Sequence, residues 1–470
     1  MTGGRPIARR RFSTEDQEAF AAFSGDRNPV HVDPVAARRS LPGQCIVHGM
    51  HTLIWALGAL AGAEGRTAGR IQVRFLKPIF LDEEVRCTWD PERDLLAVTG
   101  GETVRATIRL SGRPAAPAGP LPVAPARPAP EDPGFADCAA MEDRPFRFHG
   151  DAELAEKLFP AFAGAYGTPL ACEIAALSQI VGMECPGLRS LFSALSLDVA
   201  PAEEPPRYGV IRSDDRFGLL RIAARGPAAR AEIEAFQTPP PPAGRSMAEL
   251  SGRVAPDAFA GVTALVIGGS RGLGAVTARL LAAGGGTPIV TYNVGADEAR
   301  ALRDEIRAAG GACEIRQLTV GPGAALPEDL PPLDQMYFFA TPKIFGKQAR
   351  GFRQDLADRF ADVYVRGFGG LCAGLARTGR PVAVLYPSTV AIDAPLAELA
   401  EYAAAKLEGE RLCARLNAEG PLTVLAPRLP RIETDQTLTL QPAEAADAVD
   451  VLLPLIRKMG APEGPAAPGT

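Results

Sequence analysis

Histidine, lysine and tryptophan are scarce in this chain of 470 residues, which holds 4 His, 2 Trp and only six lysines. The longest apolar run, near Leu53–Ala61, is broken by glycine and falls far short of the roughly 20 residues a membrane span needs. No C-x-x-C pair occurs among the 8 cysteines, and none has a histidine at ligand spacing. That argues against a zinc site or a disulfide framework and predicts reduced thiols. The opening stretch MTGGRPIARRRFSTEDQEAF is basic but lacks a signal peptide's apolar segment, so a soluble cytoplasmic protein is expected. Positive charge is not in excess either: 50 Lys+Arg against 55 Asp+Glu leave −5, which gives nucleic acid or anionic membrane no general attraction. What remains is a globular composition, 46% hydrophobic and 22% charged, with length for about three domains.

Proline marks the seams. RPAAPAGPLPVAPARPAPEDP, from Arg113 to Pro133, is too rich in proline for a helix or a central strand. A second cluster, Pro239–Pro242, precedes a new pattern. The predicted domains are 1–112, 134–238 and 256–470, with linkers at 113–133 and 239–255. The first two read as weak relatives of each other. Each has one apolar helix candidate, His48–Gly62 and Leu170–Met183, followed by strand candidates. Those are Ile71–Phe80, Glu84–Trp89, Leu95–Thr99 and Thr103–Ser111 in the first, and Tyr208–Ser213, Phe217–Ala224 and Arg230–Gln237 in the second. A buried helix wrapped by an antiparallel sheet is the economical packing for both, and two such halves can share one sheet. In the third block short apolar strands alternate with helices from Thr263–Ile267 to Leu422–Ala426, which predicts a doubly wound parallel sheet.

The first block carries SGDRNPVHVDP, Ser24–Pro34, which puts Asp26 and His31 five residues apart. A carboxylate and an imidazole that share one water can move a proton and a hydroxide across a double bond. Val47-His48-Gly49-Met50 opens the buried helix, whose first amides can polarise a thioester carbonyl, with Gly49 admitting a close acyl group. Turn chemistry alone also accounts for Asp26 and Asn28. The whole string, with IVHGMHT and VRFLKPIFLDEE after it, resembles the MaoC-like (R)-specific enoyl-thioester hydratases and dehydratases over most of residues 10–112. The resemblance implies a hot-dog fold, Asp26 and His31 as the catalytic pair, Ser24 and Asn28 supporting the loop, and Gly49 supplying an oxyanion amide. LDEE stands where the family has a glycine-containing turn. His48 and His51, three apart, suit capping or packing better than metal ligation, and no metal is expected. The second block has no Asp-x₄-His; its one histidine is His149. It is read as a non-catalytic half completing a double hot-dog.

In the third block, Val266 to Gly274 reads VIGGSRGLG between a strand and a helix, a glycine-rich turn facing a helix N-terminus. Tyr402-Ala-Ala-Ala-Lys406 puts a phenol and an ammonium on one helix face, where the charge lowers the phenol's pKa. Ser388, fourteen residues earlier, can hold a substrate oxygen. Together these resemble the short-chain dehydrogenase/reductase family over about 261–440. The resemblance implies Tyr402 as general acid, Lys406 on the nicotinamide ribose, Ser388 orienting the carbonyl, and Gly268, Ser270, Gly272 and Gly274 around the pyrophosphate. The sequence departs from that family: Ile267 replaces a threonine, Thr319-Val320 an Asp-Val, Phe339 to Pro342 an Asn-Asn-Ala-Gly, Tyr364 the proton-relay asparagine, and Arg428 a glycine. The second strand ends at Tyr292-Asn293 with no carboxylate for a ribose hydroxyl, and Arg271 can meet a 2′-phosphate, so NADP(H) is the expected cofactor.

The expected architecture is thus an α+β double hot-dog followed by an α/β Rossmann-type sheet. The expected function is a bifunctional 3-oxoacyl-thioester reductase and 3-hydroxyacyl-thioester dehydratase. Its substrates would be acyl thioesters of CoA or acyl carrier protein, in fatty-acid or polyketide-type synthesis. A homo-oligomer is implied by the reductase resemblance. The alternatives are a dehydratase whose reductase-like block is a scaffold, and a non-catalytic acyl-thioester binding module.

Overall fold

The computed structural model describes residues 4–114, 121, 123–125, 129–201, 205–242, 244–344, 351–394, 396–439 and 443–460. It divides into two compact units, the first Met1–Pro240 with Thr439–Pro442 and the second Pro241–Leu438 with Ala443–Thr470. Blocks 1–112 and 134–238 therefore lie in one unit. The proline-rich linker at 113–133 falls partly outside the described residues.

The first unit runs β1 (Arg5–Arg11), α1 (Thr14–Ser24), α2 (Pro29–Val32), α3 (Pro34–Ala37), α4 (Gly49–Glu64), β2 (Arg70–Phe75), β3 (Glu84–Asp90), β4 (Leu95–Gly100) and β5 (Thr103–Ser111). It continues with α5 (Phe135–Ala139), β6 (Arg144–Pro145), α6 (Ala152–Leu158), α7 (Pro160–Tyr166), α8 (Thr168–Gln179), β7 (Ser190–Val199), β8 (Arg207–Asp214), β9 (Leu219–Arg225) and β10 (Ala229–Gln237). All ten strands form one sheet in the order β1-β3-β4-β5-β2-β7-β10-β9-β8-β6. From the central β2–β7 seam outward, each half repeats the same order of strands. The seam is antiparallel, with Gln72 opposite Ser196.

Helix α4 is apolar nearly all round because it packs against α7 and α8 as well as the sheet. It ends at Gly65 in the left-handed region, φ 64. One apolar core runs through both halves, from Phe12 and Trp89 to Tyr208 and Ile233. Three strands lie outside the sequence expectation, among them the two-residue β6. β1, RPIARRR, hides its β character behind four arginines, which an edge strand tolerates because only one of its sides pairs. β7 alternates Leu195 and Leu197 inward with Ser196 and Asp198 outward, a period-2 signal that was legible. β2 stops at Phe75, three residues before Pro78.

The second unit contains α9 (Met247–Ser251), β11 (Thr263–Ile267), α10 (Gly272–Ala283), β12 (Thr287–Tyr292), α11 (Ala296–Ala308), β13 (Glu314–Gln317) and β14 (Gln335–Phe338). It then has α12 (Gln354–Ala361), α13 (Phe368–Ala376), β15 (Val382–Leu385), β16 (Ser388–Thr389), α14 (Ala400–Glu419), β17 (Leu422–Leu425), β18 (Arg428–Leu429) and α15 (Ala448–Gly460). Six strands pair in parallel in the order β13-β12-β11-β14-β15-β17. Leu265 and Ile267 pack into one apolar cluster while Ala264 and Val266 pack into another. Both faces are therefore covered, which is why these strands are apolar throughout.

Candidate active sites

Local turn chemistry builds the first site. α1 ends at Gly25, φ 76, where an added Cβ would lie 2.2 Å from His149 Cδ2, so this position needs glycine both for its backbone and for the ring beside it. Ser24 Oγ donates to the Phe20 carbonyl and accepts from the Asp26 amide at 3.1 Å. Asp26 Oδ1 accepts from the Asn28 amide at 3.1 Å, and Asn28 Oδ1 accepts from the Val30 amide at 3.0 Å to start α2. The chain of turns aims Asp26 inward and raises His31 on α2. His31 Nδ1 lies 2.8 Å from the Ile46 carbonyl, which can only accept, so Nδ1 carries the hydrogen and Nε2 presents its lone pair. That Nε2 stands 3.9 Å from Asp26 Oδ2. The gap is too long for a direct hydrogen bond and short enough for one water to touch both.

The second half completes this site. Ser178 on α8 donates to Asp26 Oδ2 at 2.7 Å. After α8 the helix widens into a π-turn, Ile180–Glu184. A Cβ on its Gly182 would lie 2.2 Å from Asp26 Oδ1, and the Gly182 carbonyl accepts from Asn28 Nδ2 at 2.8 Å. Widened turns of this kind favour functional positions. Sequence reasoning assigned no site residue to this half. A glycine inside an otherwise apolar helix, in LSQIVGME, was the available signal. Burial raises the Asp26 pKa, opposed by His31, Ser178 and the Asn28 amide.

His48 and His51 differ. The His48 ring stacks on His31 at 3.8 Å, with Nδ1 2.8 Å from Gln17 Oε1 and Nε2 3.1 Å from the Asp26 carbonyl. Burial holds its pKa far below the usual range, with His31 adding to the effect. Asp26, His31 and His48 bring ligand-type atoms within 4.8 Å of one another, a trio the sequence reading did not foresee. Both His48 nitrogens lie against oxygens, those of the Gln17 side chain and the Asp26 carbonyl. His51 packs flat on Phe20 at 4.8 Å, and burial lowers its pKa to about 3. Gly49 opens α4 behind a His48 that makes no side-chain cap, which leaves first-turn amides for other acceptors. Phe75 stands over it, 3.0 Å from where a Cβ would be.

In the second unit, Gly268 to Ser270 form a turn between β11 and α10. A Cβ on Gly268 (φ 71) would lie 2.7 Å from the Ala340 amide, and one on Gly274 would lie 2.5 Å from the Gly268 carbonyl. A Cβ on Gly272 (φ 54) would meet nothing within 4 Å, so the start of α10 is open. Open amides at the start of a 12-residue helix without a side-chain cap fit a diphosphate. The phosphate contact expected of Arg271 is not free, because its guanidinium pairs with Asp435. Asn293 is tied by its side chain to Thr319 at 2.9 Å and by its carbonyl to Gln317 at 3.1 Å.

Tyr402 and Lys406 share one face of α14, but their surroundings depart from expectation. Burial pushes the Tyr402 phenol up to about 12, where a lowering by Lys406 was expected. Lys406 Nζ donates to the Pro387 carbonyl at 2.7 Å and lies 3.9 Å from the Tyr364 ring centre and 4.6 Å from that of Tyr386. Burial lowers its own pKa to about 7. Tyr364, in the relay position, thus covers the lysine, and its hydroxyl bonds that of Thr341. Ser388 does not meet Tyr402: its hydroxyl donates to Glu410, which Arg428 clamps through two nitrogens. Against that burial, the hydroxyl that opposes the rise in the Tyr402 pKa is that of the next residue, Thr389. A strand alternates its faces, so one residue's error in register sends the side chain to the other side.

Residues 3–106 match the family described as MaoC like domain. Among curated proteins the chain is 40% identical over 78 residues to 3-hydroxyacyl-thioester dehydratase X of Mycobacterium tuberculosis, which covers 16% of this chain and 27% of that protein. It is 36% identical over 80 residues to an (R)-specific enoyl-CoA hydratase of Aeromonas caviae, 16% of this chain and 59% of that one. The chain thus spans about a quarter of the first relative and three-fifths of the second. Similar solved structures include a short-chain dehydrogenase/reductase from Serratia marcescens, with a TM-score of 0.38 and 19% identity over 44% of this chain and 92% of that one. A 3-oxoacyl (acyl-carrier-protein) reductase from Agrobacterium tumefaciens with NADP bound gives 0.34 and 20% identity over 38% and 73%. No described helix is long and apolar enough to cross a membrane.

Proposed function

We propose that the first unit is a double hot-dog hydratase/dehydratase of acyl thioesters and that the second is an NADP(H)-dependent reductase of the matching 3-oxoacyl thioester. The observation that carries this reading is the 3.9 Å gap between His31 Nε2 and Asp26 Oδ2, with the tautomer of one and the orientation of the other fixed by neighbours. In hydration, a water held in that gap loses a proton to one of the pair as its oxygen bonds C3 of the enoyl chain. A proton then reaches C2 from the pair, and dehydration is the reverse. The α4 amides at Gly49 stabilise charge on the thioester oxygen meanwhile. Asp26, His31 and Gly49 are the catalytic groups in this reading, and His48 holds the His31 ring by stacking.

In the second unit, Gly268, Ser270, Gly272 and Gly274 would hold the cofactor diphosphate at α10, and Lys406 the ribose. The nicotinamide, when bound, supplies the hydride. Tyr402, whose pKa Thr389 lowers against burial, donates the proton to the carbonyl oxygen. The two chemistries act on the same carbon: reduction makes the 3-hydroxyl that dehydration removes, which favours a synthetic direction on CoA- or carrier-bound chains. The enclosure of Lys406 by Tyr364 and Tyr386 supports one second reading, in which the reductase-like unit is a scaffold. Crotonyl-thioester hydration and NADPH consumption with acetoacetyl-thioester, assayed on the same preparation, decide between them. Hydration without NADPH consumption selects the scaffold, and hydration that survives both Asp26→Ala and His31→Ala removes the dyad assignment.

A further inference from the structure

The sheet of the first unit has an outer face away from α4 and α8, and that face carries a groove of about 590 Å³ across the β2–β7 seam. The strand registers place its side chains in rows. One row runs Leu95, Arg109, Gln72, Ser196, Glu232, from β4 through β5, β2 and β7 to β10. The next row runs Thr107, Arg74, Ala194, Glu234, and the one beyond it Ser111, Arg70, Asp198, Arg230. On the β5–β2 side of the seam the groove's charges are Arg74 and Arg109; on β10 they are Glu232 and Glu234. Arg74, Arg109 and Glu232 are exposed, and none has an ion-pair partner among the described residues. Glu234 is held by Arg221 at 2.6 Å.

We infer that this face packs against the same face of a second copy of the chain. The argument is the symmetry of the charges. A two-fold axis laid along the strands at the β2–β7 seam exchanges β5 with β10 and β2 with β7 while keeping each row. Arg109 of one copy then stands opposite Glu232 of the other, Gln72 opposite Ser196, and Arg74 beside Glu234, while Arg70 and Asp198 already pair within each chain at 3.5 Å. Each contact occurs twice, as a two-fold interface requires. Half-buried small residues at the centre, Ala194 and Ser196, leave room for two sheets to approach to about 10 Å. A foreign partner of one charge sign fits less well, since it would meet like charge on half the groove.

The test is sedimentation of the full chain across a concentration series, with Arg109→Glu, Glu232→Arg and the double exchange. These residues lie on the outer face, outside both candidate sites, so hydration activity per chain reports folding. The wild type is expected to associate in even numbers. Each single reversal should weaken that step at least tenfold in Kd, since it sets like charges together twice per interface. The double exchange should restore it, because reversed charges meet reversed charges. If single reversals leave association unchanged, the interface lies elsewhere. A chain monomeric at all concentrations also overturns the inference and leaves the groove to another partner. Neither outcome touches the catalytic reading, which hydration measures separately.

Discussion

In the first unit the pair found by spacing, Asp26 and His31, is surrounded by groups that leave its working atoms facing each other: Ile46 takes the far nitrogen of the imidazole and Ser178 steadies the carboxylate. In the second, the spacing of Tyr402 and Lys406 is equally intact. There the lysine is roofed by two tyrosines and bonded to a carbonyl, and the nearest serine is turned toward Glu410. Spacing on a helix or within one loop fixes which side chains lie together. What their protons do is set by neighbours distant in sequence, and in the proposed reading those neighbours favour proton transfer in the first site and restrain it in the second.

The comparison breaks most sharply at His31. His31→Ala should lower crotonyl-thioester hydration about a thousandfold, within the usual 10²–10⁴ contribution of a positioned acid–base group, with NADPH consumption unchanged. A loss of both activities would show that the sites are not independent. Next is Gly182→Ala, whose new methyl would lie 2.2 Å from Asp26 Oδ1. Overpacking of this kind costs about 1–3 kcal/mol. Hydration should fall steeply and the first unit's melting temperature drop, while the second unit's transition stays in place.

Thr389→Val should reduce NADPH turnover about fivefold, because the Thr389 hydroxyl opposes the burial that raises the Tyr402 pKa and its loss lets that pKa climb further. Ser388→Ala should change it less, and the opposite ranking would return the serine to the site. The smallest effect is a pH shift. Asp26 works as a carboxylate above its pKa, so hydration fades as pH falls through that value. Ser178 donates to the carboxylate and lowers the pKa, so Ser178→Ala should move the acid limb of the rate profile to higher pH, and Ser178→Thr should largely restore it. An unmoved limb would mean that a group other than Asp26 sets it.

Much of this was legible in the sequence. The proline cluster at 239–242 lies where the two units divide, while the one at 113–133 lies within the first, and the apolar β11 and α4 announced burial on all sides. Asp26, His31, Tyr402 and Lys406 stood out because each pair is local. The residues that were missed are long-range or one step out of register. Ser178 and Gly182 reach Asp26 from more than 150 positions away. Thr389 rather than Ser388 acts on the Tyr402 phenol, while Ser388, one position back on β16, turns to Glu410. Asp435, which takes the charge of Arg271, lies 164 positions from it.

The most direct test gives the wild type and His31→Ala the same mixture of NADPH and acetoacetyl-thioester, follows the nicotinamide absorbance and identifies the products by mass. Both proteins should consume NADPH, with enoyl product from the wild type and only the 3-hydroxyacyl product from the variant. Enoyl product from the variant at the wild-type rate would contradict the dyad assignment.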